Sequence, residues 1–318
     1  MWMLPSYKEE TPSSQQRVYQ IAKHISCQTN IIPYNMSNDE KFKILKDVKS
    51  DDYVLVQKWR NSFNRAEFIS QIKGIKIFDL DDISEDKEVL DLVQVCDILF
   101  MANHYLVDWA KRKFNKPVHL IPTGVTIPDP LPPYSIKNRP NIVIAKYGVD
   151  KYIRHIARIC DWQKLFEQYE IAVRIMGTTD KESKGTAQAT IGHFCKTYPL
   201  VPFSKYWKEY GRMISTALIG IMPLGKSAQG KSAFSVLSMM SAGLPVIASP
   251  YGECDHIIEN GVNGFLVNKQ EDWAIALDAL FADKNLRQKM SVAAIKTIAS
   301  KYTVEKVANQ IEKSLGLA

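Results

Sequence analysis

The chain has 318 residues, which suits two α/β domains better than one. Hydrophobic residues make up 46% and charged residues 24%, a globular composition that excludes a disordered or fibrous chain. A net charge of +7 points weakly to an anionic partner: nucleotide phosphates, an anionic glycan or a membrane surface. Met1–Pro5 is too short for the apolar core of a signal peptide and has no basic flank. Arg17–Ser26 then reads as a helix, Thr29–Pro33 as a strand, Asp39–Lys46 as a helix and Tyr53–Gln57 as a strand. Arg65–Ile72, Glu88–Val95 and Tyr105–Phe114 are helical, and Lys76–Leu80, Ile98–Ala102 and Val118–Ile121 are strands. Six prolines from Pro122 to Pro140 then forbid helix and form a stiff connector.

The second half restarts with strand Asn141–Ala145, helix Lys151–Glu167 and strand Ile171–Met176. Further strands fit Leu200–Phe203, Leu218–Met222, Pro245–Ala248 and Gly264–Val267. Helices fit Lys205–Thr216, Lys231–Ala242, Asp272–Phe281, Asn285–Ser300 and Val304–Leu315. Alternating strands and amphipathic helices predict parallel sheets, hence an α/β chain of two Rossmann-like domains. Open parallel sheets bind ligands outside their carboxyl ends, so the ligand is expected in a cleft between the two facing sheets.

No apolar run reaches the ~20 residues that span a bilayer, so a cytoplasmic protein is expected, with peripheral contact at a membrane as an option. Lys111, Arg112, Lys113 and Lys116 are the densest basic cluster, readable as an anion-facing patch or as cations in the last turn of a helix. Nothing in the sequence has the aromatic-interleaved basic surface of a nucleic-acid binder. The five scattered cysteines (Cys27, Cys96, Cys160, Cys195, Cys254) show no metal or disulfide spacing and read as small buried hydrophobes.

The sharpest local feature is Gly225-Lys226-Ser227-Ala228-Gln229-Gly230-Lys231-Ser232, between an apolar strand and an apolar helix. Glycines let backbone N–H groups face an anion, a helix start carries partial positive charge, and lysines add full charges. The segment literally fits the P-loop pattern G-x-x-x-x-G-K-S. However, it lies on a late strand, and no later strand ends in an Asp suited to hold Mg²⁺. A phosphate site without P-loop hydrolysis, a P-loop hydrolase, and a bare glycine-rich helix start with exposed lysines all fit the residues.

Downstream, Ser241-Ala242-Gly243-Leu244-Pro245-Val246-Ile247-Ala248-Ser249 reads as a helix end, a glycine cap and a buried strand. Gly252, Ile257-Ile258-Glu259-Asn260-Gly261, Asn263-Gly264-Phe265-Leu266-Val267 and Asp272-Trp273 through Met290 follow. This series, from about Ala217 to Tyr302, resembles the carboxyl-terminal half of the large retaining GT-B glycosyltransferase family, which includes sucrose synthase-like and bacterial polysaccharide-assembly enzymes. The family's run is M-A-x-G-x-P-V-I-A-S, then I-x-x-G-x-N-G-x-L-V, then an amphipathic helix and L-R. More loosely, Asp97-Ile98-Leu99-Phe100 through Leu106 and Ile121-Pro122-Thr123-Gly124-Val125 resemble the family's amino-terminal half, with Thr123 in place of Asn.

The resemblance implies a GT-B fold with residues 1–134 as the acceptor domain and 135–302 as the nucleotide-sugar donor domain. The helix at about 303–318 is expected to pack back on the first domain. It implies that a pair of cations five positions apart, here Lys146 and Lys151, clamps the donor diphosphate; a pair of surface lysines is the plain alternative. The donor's phosphates are expected along Lys226, Ser227, Gln229, Gly230, Lys231 and Ser232. Gly177 and Thr178 match the family's post-strand glycine, and Val201-Pro202-Phe203 its base-holding loop; a turn and core packing explain them equally. The family's two glutamates, one for the donor sugar and one for the ribose, align with Gly230 and Ser238 and are absent. A related K-x-G-[FY]-K-x-L-E version fits Lys231 and Phe234 but has Ser235 and Ser238 at its second Lys and its Glu.

Phe78-Asp79-Leu80-Asp81-Asp82 ends a strand. Alone it looks like the D-x-D-x-[TV] motif of haloacid-dehalogenase-like phosphatases, with Ile83 replacing the hydroxyl residue, or like a metal-binding D-x-D. The family needs no metal and no cofactor besides its nucleotide-sugar substrate, so none is expected. Asp81 aligns with a His that the family places near the reacting sugar, and His104 lies on the next strand's exit; both are catalytic candidates. Strand-end capping and a structural histidine are the plain alternatives. Ser13, Ser14, Gln16 and Arg17 open the first helix, where the family meets its acceptor.

The expected activity is transfer of a sugar from a nucleotide-diphosphate sugar to a glycan, lipid-linked or other hydroxyl, with retention and no protein base. A non-catalytic GT-B-like subunit that binds a glycan or a partner glycosyltransferase is the alternative, motivated by Gly230 and Ser238. A P-loop hydrolase is the second.

Overall fold

The computed structural model describes residues 1–128, 141–145, 156, 158–178, 181–199, 201–202, 205 and 207–317. The chain separates into two compact units. The first comprises Met1–Gly124, Gly230–Ser232 and Tyr302–Ala318, and the second Val125–Gln229 and Ala233–Lys301.

The first unit is built on β1 (Trp2–Leu4), β2 (Asn30–Ile31), β3 (Tyr53–Gln57), β4 (Ile75–Leu80), β5 (Ile98–Met101) and β6 (Val118–Leu120). They form one parallel sheet in the order β2-β1-β3-β4-β5-β6. The strand order reverses between β1 and β3, the kind of switch point outside which open α/β sheets bind ligands. Alternation sorts each strand's side chains to two faces. Val54, Val56, Phe78, Leu80, Leu99 and Met101 bury on one face. Leu55, Ile77 and Phe100 bury on the other.

The helices of this unit are α1 (Pro12–Ser14), α2 (Gln20–Ala22), α3 (Asn38–Leu45), α4 (Ala66–Ile69), α5 (Lys87–Val95) and α6 (His104–Lys113). A π-helical segment, Gln15–Tyr19, joins α1 to α2. A reciprocal capping box between Ser37 and Glu40 starts α3. Lys111, Arg112 and Lys113 occupy the last turn of α6, where cations favour the helix dipole.

The second unit holds β7 (Asn141–Ala145), β8 (Ala172–Thr178), β9 (Cys195–Pro199), β10 (Ile219–Met222), β11 (Val246–Ala248) and β12 (Gly264–Leu266). Their order, β12-β11-β10-β7-β8-β9, is the doubly wound dinucleotide-fold order with its switch point between β7 and β10. The helices are α7 (Trp162–Tyr169), α8 (Lys181–Ile191), α9 (Arg212–Ser215), α10 (Phe234–Ser241), α11 (Cys254–Ile257), α12 (Gln270–Ala282) and α13 (Lys284–Lys301). As the sequence predicts, Gly243 closes α10 at φ +79°, and Leu244 N–H returns to the Met239 carbonyl at 3.1 Å.

The final helix, α14 (Val304–Leu315), lies in the first unit. Val307, Ala308 and Ile311 join the cluster of Val18, Ile21, Leu55 and Phe100. Gln310 Nε2 donates to the Leu120 carbonyl at 2.6 Å, and Tyr53 Oη to that of Leu315 at 2.8 Å.

Several predicted elements are corrected. β1 and α8 are absent from the sequence reading. The strand predicted at Leu200–Phe203 lies at Cys195–Pro199. The helix predicted at Lys151–Glu167 is not continuous: the chain turns at 158–160, and Asp161 caps α7 by accepting from Lys164 N–H at 3.0 Å. The helix predicted from Lys231 begins at Phe234, after a 3₁₀ turn at Lys226–Ala228. Most of the proline-rich connector lies outside the described residues. Among the described residues no helix is long and apolar enough to cross a membrane. Cys96, Cys160, Cys195 and Cys254 are buried and Cys27 half-buried; burial pushes the Cys96 thiol up to about 12.

One buried ion pair fastens the first unit's sheet edge. Arg17 Nε donates to Asp79 Oδ2 at 3.1 Å, and its Nη2 pairs with Oδ1. Arg17 Nη1 also donates to the Ile121 and Pro122 carbonyls at 2.7 and 2.9 Å. One side chain thus ties the first helical segment to the end of β4 and to the chain leaving β6. Asp79→Asn would remove the charge from a partner only 2% exposed and leave the guanidinium uncompensated. Urea unfolding is expected to show about 3–5 kcal/mol of lost stability. A loss below about 1 kcal/mol would mean the pair does not hold this edge.

Candidate functional site

Each unit places polar side chains at the carboxyl edge of its sheet. In the first unit they gather at the β1/β3 switch point. Ser6, Tyr7, Ser13, Ser14 and Arg17 follow β1; Gln57 closes β3 and Lys58 follows it; Asp79, Asp81 and Asp82 lie at or just beyond the end of β4. Gln57 Nε2 donates to Ser13 Oγ at 2.9 Å, and Ser13 Oγ donates to Asp81 Oδ2 at 2.9 Å. The Lys58 ammonium pairs with Asp81 Oδ1 and lies 3.4 Å from Asp82 Oδ2. Lys58 has φ +50°, a left-handed backbone that a side chain rarely adopts. Burial pushes the Lys58 ammonium below the usual lysine range, and Asp82 and Asp79 pull it back up. The Tyr7 ring lies 5.9 Å from the same ammonium.

This arrangement disposes of the phosphatase-like reading of Asp79-x-Asp81. Asp79 is held by Arg17 and Asp81 by Lys58 and Ser13, so neither carboxylate is open to attack a phosphate. Asp81, a catalytic candidate from the sequence, has a side chain 7% exposed, whereas that of Asp82 is 45% exposed. His104 opens α6 at the exit of β5 and is half-buried. Asn103 caps that helix by accepting from Leu106 N–H at 2.8 Å. Sequence reasoning missed Gln57 and Lys58; the signal was a lysine directly after an apolar strand.

In the second unit a cavity of about 290 Å³ opens where β10, β11 and β12 end. Arg158 and Lys226, both exposed, flank it, with Ser249, Tyr251, Asn268 and Trp273 around them. Among the described residues no carboxylate lines it. Tyr251 Oη donates to Asn268 Oδ1 at 3.3 Å, and Ser249 Oγ accepts from Leu224 N–H at 3.0 Å. Two cations line one hollow whose described lining holds no counter-charge, an arrangement that favours an anion. Arg158 was not anticipated, because it stands in a turn with no motif around it.

The other predicted binding residues divide. Lys146, Lys151 and Phe203 lie outside the described residues, as does the side chain of Ser227. Gly177 stands at φ +93° at a bulge in β8, which suits glycine. Thr178 is buried, and its hydroxyl donates to the Tyr198 carbonyl at 2.9 Å. Gln229 is half-buried beside Gly230. Ser235 and Ser238 are both buried within α10, and among the described residues Ser238 Oγ, at 0% exposure, has no hydrogen-bond partner.

The Gly230–Ser232 segment belongs to the first unit. Ile83 N–H donates to the Gly230 carbonyl at 3.1 Å, and Lys231 forms an isolated antiparallel bridge with Asp82. Lys231 and Ser232 therefore precede α10, which begins at Phe234.

Comparison with known proteins agrees with this architecture. The family described as Glycosyl transferases group 1 matches residues 141–283. A 75-residue stretch is 41% identical to a sucrose synthase of Melioribacter roseus, covering 22% of this chain and 10% of that protein. A glycosyltransferase of Rickettsia africae superposes with a TM-score of 0.73 at 12% identity, covering 99% of this chain and 98% of that one. HepE of Anabaena, solved with UDP and glucose, gives 0.73 at 11% identity, covering 100% and 99%. The pneumococcal O-GlcNAc transferase GtfA, solved with UDP and GlcNAc, gives 0.65 at 14%, covering 87% of this chain and 59% of that one. The chain thus spans about a tenth of the sucrose synthase and under two thirds of GtfA. The fold is accordingly GT-B: two Rossmann-like units with parallel six-stranded sheets.

Packing around Gly230, where the resemblance implies a glutamate, leaves little room for a side chain. A β-carbon there would lie 2.4 Å from Ile83 Cβ and 2.7 Å from Ile83 Cγ2. Gly230→Glu is therefore expected to lower the urea midpoint by an amount equivalent to about 1–3 kcal/mol. Ile83→Ala in the same chain should recover part of the loss. An unchanged midpoint for the single variant would show that the Glu fits without displacing Ile83.

Proposed function

We propose that this protein transfers a sugar, of hexose type, from a nucleotide-diphosphate donor to a hydroxyl on a glycan or lipid-linked acceptor. One coincidence carries the reading: the part of the chain that matches the glycosyltransferase family also holds the carboxylate-free cationic cavity. Breaking a bond between a sugar and a nucleoside diphosphate builds negative charge on the departing phosphate. Fixed cations stabilise that charge, the main electrostatic task of such a reaction. Arg158 and Lys226 supply them. HepE and GtfA, both solved with UDP and a sugar, support a nucleotide-sugar donor. The reading includes retention of anomeric configuration, no metal requirement, a role in polysaccharide assembly, and acceptor binding at the first unit's sheet edge.

A second reading is a glycan- or partner-binding subunit without transferase activity. It is favoured by Gly230, where Ile83 fills the glutamate's space, and by the burial of Ser238.

Thermal unfolding with UDP, GDP, ADP, CMP and ATP, each with and without Mg²⁺, separates the readings. A ligand at ~100 times its dissociation constant adds about 2.7 kcal/mol, a shift of several degrees. The transferase predicts a metal-independent shift with one nucleoside diphosphate, diminished in Lys226→Ala and Arg158→Ala. A shift confined to ATP with Mg²⁺, or no shift, contradicts it.

A further inference from the structure

We infer that Asn268, aimed by Tyr251, is a specificity-determining contact of the second unit's cationic cavity, and that it meets the oxygens of a diphosphate that this cavity binds even without a nucleoside attached. That the diphosphate belongs to a sugar donor rests on the transferase reading. Arg158 and Lys226 attract any anion, because a field of point charges does not read shape. Selection among anions needs neutral donors with fixed directions. Asn268 and Tyr251 stand on the cavity wall with the two cations. Tyr251 Oη donates to Asn268 Oδ1 at 3.3 Å. That bond takes the oxygen end of the amide and leaves its two N–H donors as the end a ligand can use. Amide, guanidinium and ammonium donors thus surround one hollow, and its described lining has no carboxylate to compete for them. A group whose outer atoms are all acceptors and carry charge satisfies that set, and a diphosphate is such a group.

The backbone that carries these side chains is tied across three strand ends. Val267 N–H donates to the Ala248 carbonyl at 2.9 Å, one residue before Asn268. Ser249 N–H donates to the Met222 carbonyl at 3.1 Å, and Tyr251 N–H donates to the Ser249 carbonyl at 2.8 Å. Leu224 N–H donates to the buried Ser249 Oγ at 3.0 Å, two residues before Lys226. The exits of β10, β11 and β12 are thereby fastened in a row, and Lys226, Tyr251 and Asn268 leave them from set positions. Donors held in place before the ligand arrives lower the ordering cost of binding. Asn268 is exposed and Tyr251 half-buried, so substitutions there act on the ligand rather than on the apolar core. Trp273, also on the cavity wall, is 3% exposed and belongs to that core, so it offers little open ring to a base.

The test is thermal unfolding of the full-length protein titrated with inorganic pyrophosphate at constant ionic strength, which holds charge screening fixed. Wild type should shift upward, and the titration gives a dissociation constant. Asn268→Asp keeps the size of the side chain, replaces amide donors by acceptors and adds a negative charge. It should weaken pyrophosphate about tenfold or more. Tyr251→Phe keeps the ring and frees the amide to rotate, and should weaken pyrophosphate a few fold. Neither variant should move the transition measured without ligand. No shift of wild type with pyrophosphate, or an unchanged dissociation constant in Asn268→Asp, overturns the proposal, and an unchanged constant in Tyr251→Phe overturns the aiming role of Tyr251. Should Asn268→Asp fail to fold, Asn268→Ala, which removes the donors without adding charge, decides the matter by the same constant. Nucleoside diphosphates titrated on the same preparation separate the two claims. Pyrophosphate binding that Asn268→Asp weakens, with no shift from any nucleoside diphosphate, overturns the transferase reading and leaves Asn268 as a diphosphate contact. A nucleoside diphosphate shift with no pyrophosphate shift overturns the assignment to Asn268 and leaves the transferase reading standing.

Discussion

The pairing of Arg17 with Asp79 is the interaction on which the first unit's working edge depends. A guanidinium buried at 3% exposure is tolerable only where its donors are met, and here a carboxylate and two carbonyls meet them. The consequence is geometric. With Asp79 fixed, the turn after β4 has one course, which carries Asp81 inward to Lys58 and Asp82 outward to solvent. The same pair brings Ser13 within reach of Asp81, because Arg17 and Ser13 lie one turn apart on the first helical segment. The edge is thus ordered by buried charge rather than by apolar packing, and it keeps one carboxylate in contact with water.

The second unit gathers a different set of side chains at its edge. Its doubly wound order directs the ends of β10, β11 and β12 into one cavity, and the residues there are cationic or neutral. The first edge holds carboxylates paired with Arg17 and Lys58, and the second holds Arg158 and Lys226. Both edges follow from parallel strand order, which collects loops at the carboxyl side whatever their sequences.

Much of the fold was legible in the sequence, for identifiable reasons. Runs such as Val54–Val56 and Ile98–Met101 are apolar throughout, as buried parallel strands are, and the strands that hold them were placed nearly to the residue. Gly243 declared the end of α10 because few other residues take φ +79°. β1 escaped because three residues carry no periodicity, and β9 because Cys195–Pro199 mixes a lysine and a threonine into a half-buried strand. The site was less legible. The Asp79–Asp82 cluster was visible as a motif, but its division into locked and exposed carboxylates depends on Arg17 and Lys58, which lie far from it along the chain. The burial of Ser238 and the clash that excludes a side chain at Gly230 are likewise facts of packing that alignment with a family pattern does not carry.

The most direct test is release of nucleoside diphosphate from a panel of nucleotide-sugars, with EDTA present and water or added glycans as the acceptor. The account predicts release from donors that share one base, undiminished by EDTA. No release from any donor, or release that EDTA abolishes, would contradict it.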